Sequence, residues 1–232
     1  MTNILAIDTS GPVCKLALQS KRAVIERSSE AERQSAQRIL PMLEGILTES
    51  GQQLKHLDAI CVMAGPGSFT GLRIGIAVAQ GLSMSADLPL IPISNLAARA
   101  RSVFRELGDD SSLEISVICE VAREGEIYFA TYGKSAGLAV ELLGKEQVAL
   151  PESLLIPDQF ANSSHIAIAG NAWAEIDGLQ QTLLAGKELL VVESDPAMDD
   201  LLALANIKLG LGETVKGVDL KPNYVKEELD YS

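Results

Sequence analysis

The chain has 232 residues, and 47% of them are hydrophobic, which is enough to form the core of one large domain or of two small lobes. The formal net charge of −12 at pH 7 repels nucleic-acid phosphates and argues against a protein that binds DNA or RNA by itself. The three cysteines stand in apolar surroundings and no apolar run is long enough to span a bilayer, so we expect buried thiols and a soluble cytoplasmic protein.

The first half of the chain has the pattern of three strands followed by alternating helices and strands. The predicted strands are apolar runs bounded by turns, at 4–8, 13–18, 22–28, 57–64 and 88–93. The predicted helices carry apolar residues at three- and four-residue spacing, at 33–50, 71–86 and 95–106. Pro41 lies inside the first helix and is expected to bend it. The order is βββαβαβα, and it ends at a polar linker, 108–112.

The second half repeats this order. Its predicted strands are at 114–120, 126–132, 138–149, 165–169 and 188–192, and its predicted helices are at 151–160, 172–184 and 197–211. A βββαβαβα order that occurs twice predicts an α/β protein with the duplicated actin-like ATPase (ASKHA) fold of sugar kinases and Hsp70 proteins. We expect lobes at 1–107 and 108–232, with the option that the C-terminal segment packs back on the first lobe.

A glycine-rich loop, GPGSFTG at 65–71, lies between the fourth predicted strand and the second helix. A phosphate-binding loop would occupy this place, but the P-loop motif requires a lysine that is missing here. A phosphate cradle and a tight structural turn therefore both stay open. Asp8, Ser68 and Thr70 are weak candidates for nucleotide contacts, although Asp8 could equally accept hydrogen bonds from its own turn.

Other cofactor signals are weak. A lone Gly170 stands where this fold class usually carries a glycine pair against adenine. His56 and His165 are the only histidines, and neither has a second histidine or cysteine at metal-ligand spacing. We therefore expect no cofactor and no metal site.

The second helix has an unusual number of small residues. Gly71, Gly75, Ala79 and Ser83 recur every four residues, and Ala77, Gly81 and Ser85 form a second row. Because glycine costs about 1 kcal/mol relative to alanine inside a helix, close packing must compensate. One small face must pack on the helix's own sheet. Small residues on more than one face also predict a protein-binding surface.

This surface is predicted to include the helix at 33–50 as well. The predicted contact residues are Ser35, Arg38, Ile39, Pro41, Met42, Gly71, Ile74, Gly75, Val78, Ala79 and Leu82. Replacing Gly75 by leucine, or Ala79 by tryptophan, is expected to abolish partner binding and to leave the fold intact.

Five segments resemble the TsaB (YeaZ) family. They are ILAIDTS at 4–10, QRILP at 37–41, GPGSFTGLRIG at 65–75, REGEIY at 123–128 and PNYVK at 222–226. The resemblance implies an actin-like fold without catalytic activity of its own. It also implies a subunit that binds and activates the catalytic paralogue TsaD, together with the ATPase TsaE. That complex forms N6-threonylcarbamoyladenosine at position 37 of tRNAs that read codons beginning with A.

The resemblance further implies that tRNA is reached only through the complex. The exposed apolar helix pair also allows a homodimer when the partner is absent. Ser35 stands where family members often have histidine, and Val121 where they often have aspartate, so the roles of these two positions are open. The TsaD metal motif H-x-x-x-H has no counterpart at 33–38. The alternative hypothesis is an enzyme that acts alone, either a small actin-like kinase or ATPase, or a peptidase.

Overall fold

A computed structural model describes residues 2–21, 23–29, 34–108, 112–135, 139–157, 163 and 165–225. By its internal contacts the chain divides into two compact units. The first unit comprises Met1–Asn95 and Ala197–Asn223, and the second comprises Leu96–Pro196 and Tyr224–Ser232. The sequence predictions that fall on positions 22, 33, 109–111, 138, 158–162 and 226 lie outside the described residues.

The first unit contains a five-stranded sheet. Its strands are β1 (Ile4–Asp8), β2 (Lys15–Gln19), β3 (Val24–Ser28), β4 (Ala59–Gly65) and β5 (Leu90–Ser94), in the order β3-β2-β1-β4-β5. The pairs β1–β2 and β2–β3 are antiparallel, whereas β1–β4 and β4–β5 are parallel. Every residue of β1 and β4 is buried, because these strands lie in the interior of the sheet.

Some helices pack against this sheet, and the others belong to the second unit. The helices of the described residues are α1 (Ser35–Ser50), α2 (Phe69–Ala86), α3 (Asn95–Leu107), α4 (Ala172–Glu175), α5 (Leu179–Leu184) and α6 (Met198–Leu211). The amphipathic α1 buries Ile39, Leu43 and Ile46, and it ends at Gly51, whose φ of 65° suits glycine. The C-terminal α6 packs on β1, β2, β4 and β5, so the chain returns to the first unit.

The second unit repeats the arrangement of the first. Its strands are β6 (Ile115–Val121), β7 (Ile127–Lys134), β8 (Val140–Leu142), β9 (Gln147–Ala149), β10 (His165–Ala169) and β11 (Glu188–Val191). The sheet order is β11-β10-β6-β7-β8, and β9 also pairs with β7. The first hairpin is antiparallel, and β6, β10 and β11 are parallel, as in the first unit. The predicted duplicated actin-like fold is therefore confirmed.

Three elements of the second half differ from their predictions. The helix predicted at 151–160 is wrong over its described residues, 151–157, which contain a 3-10 turn, Pro151–Ser153, and no α-helix. Pro157 disfavours helical backbone at the residue before it. The strand predicted at 138–149 divides into β8 and β9 at Gly144, which has a φ of 92°. The helix predicted at 172–184 breaks at Gly178, which has a φ of 75°.

Candidate protein-binding surface

The glycine-rich loop between β4 and α2 is tied to its own unit by hydrogen bonds. The backbone N–H of Ser68 donates to the Ser10 carbonyl oxygen at 3.0 Å, and that of Gly65 donates to Asn95 Oδ1 at 3.1 Å. The Gly71 N–H donates to Ser68 Oγ at 3.2 Å, so Ser68 caps α2. These donors are therefore satisfied without an anion.

The Asp8 carboxylate stabilises the turn that follows β1. Its Oδ1 accepts hydrogen bonds from the Ser10 backbone N–H at 2.9 Å and from the Ser10 hydroxyl at 2.6 Å. Asn95 Nδ2 donates to the same hydroxyl at 2.7 Å. Thr70, the third candidate for a nucleotide contact, lies exposed in the first turn of α2. This geometry favours the structural turn over the phosphate cradle.

The row of small residues that begins at Gly71 packs against β1 and its turn. A Cβ atom at Gly71 would lie 1.9 Å from the Thr9 carbonyl oxygen, and one at Gly75 would lie 2.3 Å from Thr9 Oγ1. Ala79 is completely buried. The expectation that leucine at position 75 or tryptophan at position 79 leaves the fold intact is therefore wrong, because neither site has room for a larger side chain.

Five predicted contact residues thus lie inside the first unit. They are Ser35, Ile39, Gly71, Gly75 and Ala79, each of which is buried. Buried residues cannot contact a partner while the unit keeps this structure, so these five residues hold α1 and α2 against the rest of the unit.

The other six predicted residues reach the surface. Arg38 and Pro41 are exposed, and Met42, Ile74, Val78 and Leu82 are half-buried. Met42, Val78 and Leu82 also pack at the edge of the core. Because α1 and α2 contact each other, these residues belong to neighbouring helices.

The second row of small residues is the exposed one. Ala77, Gly81 and Ser85, which we call the α2 stripe, are all exposed, and a Cβ atom at Gly81 would have no heavy atom within 4 Å. The predicted contact list omitted these three residues. The two rows are similarly small and run at the same four-residue spacing. The inner row differs from the outer one in its contacts, which include Thr9 and Ile7 beneath α2.

Large apolar side chains accompany the α2 stripe. Phe69 is 47% exposed, Met84 is 69% exposed, and Leu40 on α1 is 55% exposed. The Arg73 guanidinium lies 3.6 Å from the centroid of the Phe69 ring, which is cation–π geometry. No charged residue occurs from position 74 to position 86. A helix surface that has no charge over three turns and exposes apolar and small side chains is typical of a protein-binding surface.

The described residues offer little for other kinds of site. Among them, no group of three or more histidine, cysteine or acidic side chains could hold a metal ion, and no helix is long and apolar enough to cross a membrane. The prediction of buried thiols is confirmed for Cys14, Cys61 and Cys119. Burial raises the pKa of the Cys61 thiol from 9.0 to about 12, which keeps it protonated and unreactive at neutral pH.

The two matching sheets place the chain among proteins of the actin-like ATPase fold. A protein-family model described as "TsaD: tRNA N6-adenosine threonylcarbamoyltransferase" matches residues 25–194. The tRNA threonylcarbamoyladenosine biosynthesis protein TsaB of Haemophilus influenzae is 32% identical over 236 residues, covering 98% of this chain and 95% of that protein. The chain therefore belongs to the TsaB family.

Two further comparisons place this membership in context. The solved structure titled "YeaZ from Pseudomonas aeruginosa" has a TM-score of 0.80 and 32% identity, and the match covers 97% of this chain and all of that chain. A tRNA N6-adenosine threonylcarbamoyltransferase of Erythrobacter litoralis is 40% identical over 72 residues, which are 31% of this chain and 21% of that protein. The chain is thus similar over nearly its whole length to TsaB proteins and over a shorter stretch to a transferase.

Proposed function

We propose that this chain is a non-catalytic subunit of the assembly that forms N6-threonylcarbamoyladenosine in tRNA. Its relatives are named for the biosynthesis of this nucleoside, and the matching family model is described as the transferase. The observation that carries the proposal is the α2 stripe, an exposed and uncharged helix surface, together with the exposed apolar side chains of Phe69 and Met84 on α2 and of Leu40 on the neighbouring α1.

The partner of this surface is a catalytic paralogue of the TsaD type. Small residues let two helix backbones approach to the short end of the usual 8–10 Å interaxial range, which increases the number of van der Waals contacts. A paralogue with the same fold presents a helix pair of the same kind, so α1 and α2 can pack against their counterparts. The same geometry allows a homodimer when the paralogue is absent.

The family resemblance and the charge of the chain suggest the remaining members of the assembly. An ATPase of the TsaE type joins the pair and supplies ATP hydrolysis, and tRNA is held by the complex, because a chain of net charge −12 repels phosphates. The chemistry takes place in the cytoplasm on the paralogue. The engaged amides of the glycine-rich loop and the inward-turned Asp8 carboxylate support an accessory role for this chain.

The test of this proposal compares substitutions at two exposed helical glycines, one inside the α2 stripe and one far from it in the sequence. Gly81 in the α2 stripe and Gly210 in α6 are both exposed helical residues, and a Cβ atom added at either would meet no heavy atom within 4 Å. Leucine at either site should raise helix stability by up to about 1 kcal/mol, so both variants should fold. Gly81→Leu should weaken binding of the TsaD-type partner by roughly 10- to 100-fold, because overpacking an interface costs about 1–3 kcal/mol.

Binding is measured by titration calorimetry with the purified partner, and complex mass by size-exclusion chromatography with light scattering. Gly210→Leu should bind like the unaltered chain. Equal binding by both variants would contradict the assignment of the α2 stripe. Hydrolysis of magnesium–ATP or of a peptide by the isolated chain would contradict the non-catalytic role and favour the enzyme hypothesis.

A further inference from the structure

The segment that follows α6 crosses the first unit beside α2. We call residues 213–223 the C-terminal strap. Its Val215 exchanges two backbone hydrogen bonds with Leu90 of β5, at 2.8 and 2.9 Å. At its other end, the Asn223 N–H donates to the carbonyl oxygen of Ala64 in β4 at 2.7 Å. Both ends of the strap are therefore fixed to the sheet.

The middle of the strap is fixed to α2 itself. The Gln80 side-chain amide donates to the carbonyl oxygens of Gly217 and Leu220, at 3.0 and 3.1 Å. The Leu220 side chain is buried in the core of the unit. A Cβ atom at Gly217 would lie 3.0 Å from Ser83 Oγ, so the strap backbone lies directly against the helix. Contacts on the inner side of the strap thus set its position.

The outer side of the strap exposes an apolar residue next to α2. Val218 is 70% exposed, and it follows Gly217, whose Cβ atom would lie 3.4 Å from Met84 Cγ. Met84 is itself 69% exposed. Single exposed apolar side chains are common on proteins, but here two of them lie on adjacent segments at the border of the uncharged α2 stripe. The apolar surface of α2 therefore continues onto the strap.

The strap and α1 lie on opposite sides of α2. Along the sheet, α1 packs on β3 and β2, α2 packs mainly on β4, and the strap pairs with β5. The helix α2 also contacts both α1 and the 3-10 turn of the strap, Gly217–Asp219. The outward-facing α2 stripe is therefore the floor of a groove. Leu40 is exposed on α1 at one side, and Met84 and Val218 are exposed at the strap side.

We propose that the C-terminal strap belongs to the partner-binding surface, and that this groove receives one helix of the TsaD-type partner. The inference rests on the proposed function and adds the strap to the same binding site. A helix fits because the small residues of the floor recur every four positions, and the side-chain ridge of another helix packs into such a row. The contact face of that helix is uncharged, because a charge buried there would have no partner on α2 between positions 74 and 86.

Val218→Asp tests the strap, and Leu211→Asp is its matched control. Leu211, at the end of α6, is 68% exposed and belongs to the same unit. Both substitutions put a carboxylate at an exposed position, so both variants should unfold in urea like the unaltered chain, as followed by circular dichroism. Val218→Asp should weaken binding of the TsaD-type partner by at least about 10-fold in titration calorimetry, because binding would remove water from the carboxylate. Leu211→Asp should bind like the unaltered chain.

Gly81→Leu separates this inference from the proposed function. If Gly81→Leu weakens binding and Val218→Asp does not, the strap lies outside the interface and only the inference is overturned. If Gly81→Leu leaves binding unaltered, the α2 stripe is not the floor of the binding site, and both proposals are overturned. Equal weakening by Val218→Asp and Leu211→Asp would also overturn the inference, because the loss would then reflect the added charge and not its position.

Discussion

The contact between α2 and the turn after β1 gives a sharp stability prediction for Gly75→Ala. In an open helical position this change stabilises a protein by up to about 1 kcal/mol. At Gly75 the new Cβ atom would lie 2.3 Å from Thr9 Oγ1, which is far inside van der Waals contact. The Thr9 hydroxyl is buried and donates to the Gly71 carbonyl oxygen at 2.7 Å, so it cannot turn away without losing that bond.

The magnitude follows from these opposing effects. Overpacking costs about 1–3 kcal/mol, and a buried Thr9 hydroxyl left without its acceptor costs a similar amount. Against the gain in helix propensity, Gly75→Ala should lower the free energy of unfolding by about 3 kcal/mol. In a Thr9→Ala background the clashing atom is gone and the nearest remaining atoms lie at 3.6 Å, so the same change should be neutral or stabilising.

The assay is urea unfolding followed by circular dichroism, because the sole tryptophan lies in the second unit and fluorescence would not report the first. Gly81→Ala is the matched control, since its Cβ atom meets nothing within 4 Å, and it should be slightly stabilising. Two results would refute the reasoning. One is that Gly75→Ala and Gly81→Ala change the free energy of unfolding equally. The other is that Gly75→Ala destabilises the Thr9→Ala variant as much as it destabilises the unaltered chain.

Two further predictions concern charge and protonation. Arg99→Met should lower the free energy of unfolding of the second unit by about 1–2 kcal/mol, because it removes the cation that pairs with Glu120. Unfolding in urea is followed by Trp173 fluorescence. Arg105→Met should cost less, because Arg105 pairs with the exposed Glu106. Burial raises the pKa of Cys61 from 9.0 to about 12 in the folded chain, so unfolding releases its proton above pH 9. Between about pH 9 and pH 12 this thiol should lower the free energy of unfolding by about 1.4 kcal/mol per pH unit, in addition to the contributions of Cys14 and Cys119, whose pKa values burial also raises. Cys61→Ala should reduce that slope, and an unchanged slope would contradict the assignment.

The sequence predicted the fold well because the strands of this chain are apolar runs and α1 has a clear helical period. The order of elements, repeated twice, restricts the topology more than any single motif does. The helix predicted at 151–160 failed on local chemistry, since Pro151 is typical of a helix start but Pro157 prevents the next turn. These outcomes depend on short-range signals that the sequence carries.

Only part of the candidate surface could be predicted from the sequence, because the direction in which each side of α2 faces depends on contacts between distant parts of the chain. Both small rows of α2 satisfy the same requirement for close packing. The row that faces inward contacts residues far away in the chain, such as Thr9, which lies sixty-two residues before Gly71. Sequence spacing predicted close packing of the small residues of α2, but it could not say that Gly75 faces β1 and Gly81 faces outward. Likewise, exposure of Phe69 and Met84 follows from the orientation of the helix.

The same glycines that suggest a phosphate-binding loop have a different physical use in this protein. A phosphate cradle needs backbone N–H groups that point into open space, so that an anion can accept from them. In this loop the N–H groups of Gly65, Ser68 and Gly71 donate to protein oxygens. The Thr9 carbonyl oxygen occupies the space that a side chain at position 71 would need. The turn after β1 packs against this loop and fixes the start of α2. The start of α2 in turn sets the direction in which the α2 stripe faces. A glycine-rich loop of this kind can thereby set the orientation of the helix that follows it.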